Sequence, residues 1–228
     1  MIGFFVTGTD TNVGKTYVTC ALARRARRLG HKVLAFKPIE SGCVASADGP
    51  LVGADQQLLA SAAGDWQDGP LRGLYRFSLP AAPSVAAAAA STTIDLDLVV
   101  RTVREGAAQN GATLTLVEGA GGWRVPLTTQ ADMGHLARAL GLPVVIVARA
   151  GLGTINHTLL TIEAVQRDGL TVARVVLSQR GDDDARASGS NRAEIVRRWD
   201  GDVVILATDE AVLDSLVANS PRELVRPE

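Results

Sequence analysis

The chain has 228 residues, 21% of them Asp, Glu, Lys or Arg, and a formal net charge of −1. A chain of this length buries roughly 70% of its unfolded surface and needs no disulfide or metal staple, and its two cysteines, Cys20 and Cys43, are too few for a disulfide framework. Mixed charge leaves no basic face for nucleic acid and no polybasic tether, and the longest apolar run, Val85–Ala90, is far too short to span a bilayer.

The start, MIGFFVTGTD, has no charged leader segment, which argues against a secretory signal and predicts a soluble, cytoplasmic protein with neither a nucleic-acid nor a membrane partner. It runs into a predicted strand over 2–8 and then into GTDTNVGKT, Gly8 to Thr16. A phosphate-binding loop reads Gly, any four residues, Gly-Lys-Ser/Thr; here Thr9 stands where the first glycine belongs, and Gly8 comes one residue early. The helix that follows places Val18, Leu22, Ala26 and Leu29 on one face, with Arg24, Arg27 and Arg28 elsewhere. A second strand, KVLAFKP over 32–38, ends in Lys37-Pro38. From Ser41 to about Ser91 the rhythm breaks into a Gly-, Ala-, Pro- and Asp-rich excursion. Such a segment is either a functional insertion over the strand ends or a flexible surface region. Within it, Asp55 opens an apparent helix, ADQQLLASAA.

Strand three, TLTLVEG over 113–119, ends in Glu118 and a glycine-rich turn, and strand four covers 143–149. Ile155, Leu159, Ile162 and Val165 then repeat at helical spacing, with Gly169 as the stop. Strands over 173–179 and 202–208 complete the set, with weaker helical patterns over 189–199 and 210–217. The strands read as nearly continuous apolar runs, which suits strands buried on both faces of a parallel sheet. Strand–helix alternation of this kind predicts an α/β fold: a doubly wound, mostly parallel sheet with helices on both faces, P-loop NTPase-like, forming a single domain over 1–228.

Ligands of such sheets bind beyond the carboxyl ends of the strands. Three chemistry-bearing stretches end there: Gly8–Thr16, Lys37-Pro38 and Glu118–Gly122. A strand-to-helix loop presents backbone N–H groups and the positive end of the helix dipole to a phosphate. Lys15 would reach the β- and γ-phosphates and the Thr16 hydroxyl a Mg²⁺ ion; the plain alternative is a glycine-bearing turn capped by threonine. Glu118 is either an acidic start to a solvated turn or the carboxylate that orients a metal or its water. Lys37 is a solvated strand terminus or a fixed cation beside the phosphates, and Asp55 a capping carboxylate or a second metal ligand.

Taken together, FFVTGTDTNVGKT, FKPIESG, TLVEGAGGW and GLGTINHTLLT resemble the dethiobiotin synthetase family, in order and in spacing, from residue 4 to about residue 178. The displaced glycine is that family's own form of the loop. The resemblance implies ATP-dependent carboxylation of 7,8-diaminononanoate: CO₂ adds to one amine, ATP phosphorylates the carbamate, and the second amine closes the ureido ring. It implies that Lys15, Lys37 and Thr11 act on the carbamate and γ-phosphate, and that Thr16, Asp55 and Glu118 hold Mg²⁺. It implies nucleotide contacts from Asn12, Val13, Gly14, Lys15, Thr16 and Tyr17, from Asp55, from Glu118, Gly119, Ala120 and Gly121, and from Ser178 and Gln179. Ser41 would contact the substrate head. Gly153, Thr154 and Asn156 would hold the substrate tail across a homodimer, with helix capping as their simpler role. On these roles, Lys37→Ala is expected to leave the fold intact and remove most turnover.

Several positions depart from the family pattern. Ser178-Gln179 stands where an Asn-Asp pair is usual, and serine lacks the bidentate amide that suits adenine, leaving base preference open. Gly151 replaces a common lysine, and Ala81-Ala82 replaces polar residues in the LPAAPS loop. Thr208 and Asp209, at the end of the last strand, are further candidates for the base pocket. The main alternative is a partitioning-type P-loop ATPase switch, but such proteins carry an extra lysine early in the loop, and Gly8–Val13 contains none. A cobyrinic-acid-type amide synthetase needs an appended glutaminase for which this chain has no room. A nucleotide-binding scaffold without turnover would not need Lys37 and Glu118.

Overall fold

Six parallel strands carry the chain in a computed structural model that describes residues 2–47, 49–179, 181 and 185–218. In chain order they are β1 (Gly3–Gly8), β2 (Val33–Phe36), β7 (Leu114–Gly122), β8 (Val144–Arg149), β9 (Val172–Ser178) and β10 (Val203–Leu206). They lie side by side as β10-β9-β8-β1-β7-β2. Every pairing is parallel, and β1 sits between β7 and β8. The chain leaves β1 toward one edge and returns past it to β8. That reversal opens a crevice at the carboxyl end of β1.

Alternation along the strands feeds two cores. Phe4 and Val6 face one side, where α1 (Lys15–Arg28), α2 (Ala54–Ala62) and α8 (Asp214–Ala218) supply Val18, Leu22, Leu59 and Leu216. Phe5 faces the other, covered by α4 (Leu96–Gln109), α5 (Met133–Leu140), α6 (Thr154–Arg167) and α7 (Ala185–Val196) through Val103, Leu136, Ile162 and Ile195. This is the doubly wound sheet expected from the continuous apolar runs. Ion pairs of Arg24 with Glu210 and Arg25 with Asp214 tie the C-terminal turn and α8 to α1. No helix among the described residues is long and apolar enough to cross a membrane.

Details differ from the periodicity. Leu29 is 48% exposed because α1 stops at Arg28; Leu29 is its C-cap, and the chain turns at Gly30. On α6 the fully buried face runs through Thr154, Thr158, Thr161, Ile162 and Val165, while Ile155 and Leu159 are only partly covered. Strand β7 continues three residues beyond the expected end, to Gly122, which pairs with Gly8 across a register shift in β1. Helices α4 and α5 carry N-terminal signals in the sequence: Asp95 accepts from Leu98 N–H, and Asp132 forms a capping box with His135.

The excursion after Ser41 is an ordered lobe. β3 (Ile39–Ser41) pairs in parallel with β6 (Tyr75–Phe77), and β4 (Val44–Ala45) pairs antiparallel with β5 (Leu51–Val52). Together with α2 and α3 (Pro83–Ala89), the lobe brings Ser41, Asp55 and Pro80–Pro83 over the strand ends. Of the two roles open to it, the structure has taken the insertion over the site.

Candidate active site

The loop between β1 and α1 curls back on itself. Asn12 has φ 58° and Gly14 has φ 97°, the left-handed conformation that glycine adopts without strain. A Cβ at Gly14 would run into Ser178 Oγ, so the backbone there lies against the end of β9. The early glycine has its own reason: a Cβ at Gly8 would sit 2.6 Å from the Asp10 carbonyl and 2.9 Å from Lys15 Nζ. Lys15 folds over that glycine and donates to Asp10 O at 3.0 Å. Asp10 Oδ1 accepts from Thr11 N–H at 2.7 Å, and Arg149, at the end of β8, donates to Oδ2 at 3.0 Å.

Glu118 is the centre of the site. It lies on β7, is fully buried, and collects three side-chain donors, two from α1 and one from the end of β2. Thr16 Oγ1 donates to its Oε1 at 2.9 Å, Lys37 Nζ to the same oxygen at 3.0 Å, and Thr19 Oγ1 to Oε2 at 2.8 Å. Lys37 also pairs with Asp55 in the first turn of α2. Asp55 is aimed there by Glu40, whose carboxylate accepts from Asp55 N–H at 3.0 Å and Gln56 N–H at 2.9 Å. Glu40 thereby replaces the side-chain cap that Gly53 cannot give. Gln56 Nε2 closes the ring on Lys37 O at 3.0 Å.

Two ammonium groups thus line a cleft with the Asp55 carboxylate, Glu118 lies buried behind them, and their environments push the two lysines apart. Burial lowers Lys15 to about 8, with Glu118 only partly offsetting it. Burial also acts against charge on Lys37, but Glu118 and Asp55 outweigh it and hold that ammonium above the ordinary lysine value.

The cleft has a volume of about 630 Å³. It is lined by Thr11, Asn12 and Gly14–Tyr17 of the loop and α1, by Lys37, Ser41 and Asp55, and by Ala120 and Gly121. Its remaining wall is apolar, made of Pro80–Pro83 and Val125. A second cleft of about 380 Å³ shares Gly14 and Tyr17 and is lined by Ser178, Gln179, Ala207 and Thr208. Tyr17 stands between the two, its hydroxyl donating to Ala207 O at 2.8 Å. Asp209 instead caps the turn over 210–213.

Other expected site residues stand apart. The Val13 side chain is in the core. Gly119 is buried against Phe5 and Met133. Gly153, Thr154 and Asn156 begin α6 and line neither cleft; the Thr154 hydroxyl is 3.3 Å from that of Thr158, and neighbouring Leu152 is 98% exposed. Thr19, Glu40 and Asp10 were not singled out from the sequence. For Glu40 the signal was a carboxylate two residues past a strand end, ahead of an uncapped helix; Thr19 carried none, reading as one more residue inside α1.

Residues 3–208 match a family model described as an AAA domain. The ATP-dependent dethiobiotin synthetase BioD of Anaeromyxobacter dehalogenans is 47% identical over 199 residues, covering 86% of this chain and 85% of the relative. The protein of that name from an Anaeromyxobacter sp. is 46% identical over the same shares. Among solved structures, the MinC:MinD cell division complex of Aquifex aeolicus is similar at a TM-score of 0.54 and 15% identity, over 97% of this chain and 87% of that one. The signal recognition particle receptor FtsY of Elizabethkingia anophelis is similar at 0.55 and 15%, over 92% of this chain and 60% of the receptor's. At that identity these two likenesses speak to the fold alone.

Proposed function

The chain belongs to the ATP-dependent dethiobiotin synthetase family, and on that premise we propose that it closes the ureido ring of dethiobiotin from 7,8-diaminononanoate and CO₂ at the expense of ATP. One observation carries the reading to these residues: Lys15, Thr16, Lys37 and Asp55 line one cleft at the end of β1, and Glu118, buried behind it, holds Thr16 and Lys37. A carbamate is a poor electrophile until its oxygen bears a phosphoryl group, so the site must hold two anions side by side. That is a task of positioning and charge stabilisation.

The backbone N–H groups from Asn12 to Thr16 and the positive end of α1 would receive the phosphates. Lys15 would exchange the Asp10 carbonyl for a phosphate oxygen, and Lys37 would face the carbamate from the opposite side, with Thr11 between them. Ala120 and Gly121 allow close backbone approach. The wall of Pro80–Pro83 and Val125 keeps water from the mixed anhydride while the second amine attacks. Ser41 would receive the diamine head, and the cleft beside Ser178 and Gln179 the base.

A Mg²⁺ ion fits this donor set. Thr16, Asp55 and Glu118 offer hard oxygens, and among the described residues no group of three or more His, Cys, Asp or Glu offers a full protein cage. Two carboxylates and a hydroxyl suit an ion that keeps waters and shares phosphate oxygens. When bound, it would neutralise charge on the β- and γ-phosphates. A homodimer completes the reading, supported by the exposed Leu152 and by the helix start at Gly153–Asn156, which lines neither cleft of its own chain.

The test is direct. The purified chain, given diaminononanoate, ¹³C-bicarbonate, ATP and Mg²⁺, is expected to release phosphate only with the diamine and to place the label in the ureido carbon of dethiobiotin, read by mass spectrometry. Nucleotide hydrolysis that ignores the diamine, with no labelled product, would point to a switch ATPase and end the reading.

A further inference from the structure

Thr19 lies wholly inside α1, one turn after Thr16 on the same face, and is fully buried. Its hydroxyl is 2.9 Å from the Lys15 carbonyl and 2.8 Å from Glu118 Oε2. A hydroxyl has one proton to give. The Lys15 carbonyl is the i−4 acceptor of the helix itself, whereas a buried carboxylate oxygen without a donor is costly. The proton therefore belongs to Glu118. Thr16 holds Oε1 and Thr19 holds Oε2, so two hydroxyls one helical turn apart fix both the position and the rotation of this carboxylate about its own axis. The consequence is a division of labour: with Oε2 tied to Thr19, Oε1 is the oxygen turned toward Thr16 and Lys37, which themselves line the cleft.

We propose that Thr19 is a positioning residue for the ring-closing reaction, acting through Glu118 and touching neither nucleotide nor diamine. The proposal rests on the functional reading given above. Without the Thr19 hydroxyl, Oε2 has to find a donor by rotation, and the other side-chain donors that the carboxylate meets among the described residues are Thr16 and Lys37, which now hold Oε1. The carboxylate then leaves the orientation in which Thr16, Lys37 and a divalent cation meet it. A hydrogen bond to a charged group of this kind corresponds to about a 10- to 100-fold effect.

Two pairs of variants isolate the hydroxyl: wild type against Thr19→Val, which keeps the shape, and Thr19→Ser against Thr19→Ala, which differ in the hydroxyl alone. Mn²⁺ binding is measured by electron paramagnetic resonance with a nonhydrolysable ATP analogue, and kcat and KM for the diamine are measured in parallel. Within each pair, loss of the hydroxyl is expected to weaken Mn²⁺ binding and lower kcat by about tenfold or more, with KM for the diamine changed less than about twofold. Thr19→Ser is expected to stay within about threefold of wild type. Should Thr19→Val not fold, the Ser/Ala pair gives the same comparison. Equal Mn²⁺ binding and kcat within the pairs, or a Thr19→Ser variant as impaired as Thr19→Ala, would overturn the proposal and leave Thr19 a packing residue. Failure of the functional reading looks different: wild type itself then yields no dethiobiotin, while Mn²⁺ binding still reports on Thr19.

Discussion

Lys37→Met tests the charge arrangement most sharply, because it removes the ammonium and keeps most of the stem. Lys37 is 8% exposed at its side chain and Glu118 is 0% exposed, so the variant leaves a buried carboxylate without its cation. Breaking a buried pair from one side costs about 3–5 kcal/mol. Thr16 and Thr19 still hold Glu118, and Asp55, at 34% exposure, recovers solvent. The lower end, about 3 kcal/mol, is therefore expected. For a chain of this size that is a fall in Tm of roughly 6–12 °C. The fold is still expected to stand, at reduced stability. The folded-state Lys37 value lies above the ordinary 10.5, so its contribution is fully present below that pH and is lost only as pH climbs past it. The difference in Tm should accordingly be constant between about pH 6 and 7, below the point at which Lys15, itself lowered by burial and in part by the Lys37 charge, begins to titrate. Turnover should fall about 10²- to 10³-fold. The assays are thermal melts of wild type, Lys37→Met, Glu118→Gln and the double variant, with phosphate release measured alongside. The double variant should melt above Lys37→Met, since it buries no unpaired charge. A Lys37→Met protein that melts with wild type would refute the buried pair, whatever its activity.

Lys15, pushed down to about 8 by burial, makes nucleotide binding pH-dependent. In the ligand-free chain the cost of burying the charged ammonium is present below that pH and is relieved above it. Phosphate restores the charge, so affinity should be flat below about pH 8 and decline toward tenfold per unit above. Calorimetry in two buffers should show proton uptake there, and a flat profile to about pH 9.5 would count against it. Gly14→Ala forces a Cβ into a backbone at φ 97° and against Ser178 Oγ; nucleotide affinity should drop at least about tenfold, beyond the ~1–2 kcal/mol of left-handed strain. Gly30→Ala, at φ 90° with open space around it, is the control: it should lose stability in a melt and keep nucleotide affinity. Leu152→Glu places a charge at the most exposed apolar side chain beside α6. It should yield a monomer by light scattering with greatly reduced turnover, and a fully active monomer would show that α6 serves no neighbouring site.

Much of this protein was legible in its residues. Runs such as FFVTG and VVIVA are apolar on both alternating faces, and that local property alone calls for a parallel sheet covered by helices on each side. The loop at Gly14-Lys15-Thr16 and the carboxylate at Glu118 were legible for the same reason, since their meaning comes from a strand just before them. Leu29 was misread because periodicity does not say where a helix stops. The segment after Ser41 read as either an insertion or loose surface because its order comes from β3 pairing with β6, more than thirty residues apart.

By itself, then, the sequence determined the strand and helix succession, the phosphate loop and the chemical types available at the strand ends. Only the tertiary structure decided which of these groups meet. The crossover that sets β7 beside β1 brings Glu118 within reach of Thr16, Thr19 and Lys37, residues 81 to 102 positions away in the chain. The lobe's fold lets Glu40 hold the helix start that aims Asp55. Burial then makes each of those meetings count, because a charge removed from water depends on the few partners within hydrogen-bond distance, and no reading along the chain contains that distance.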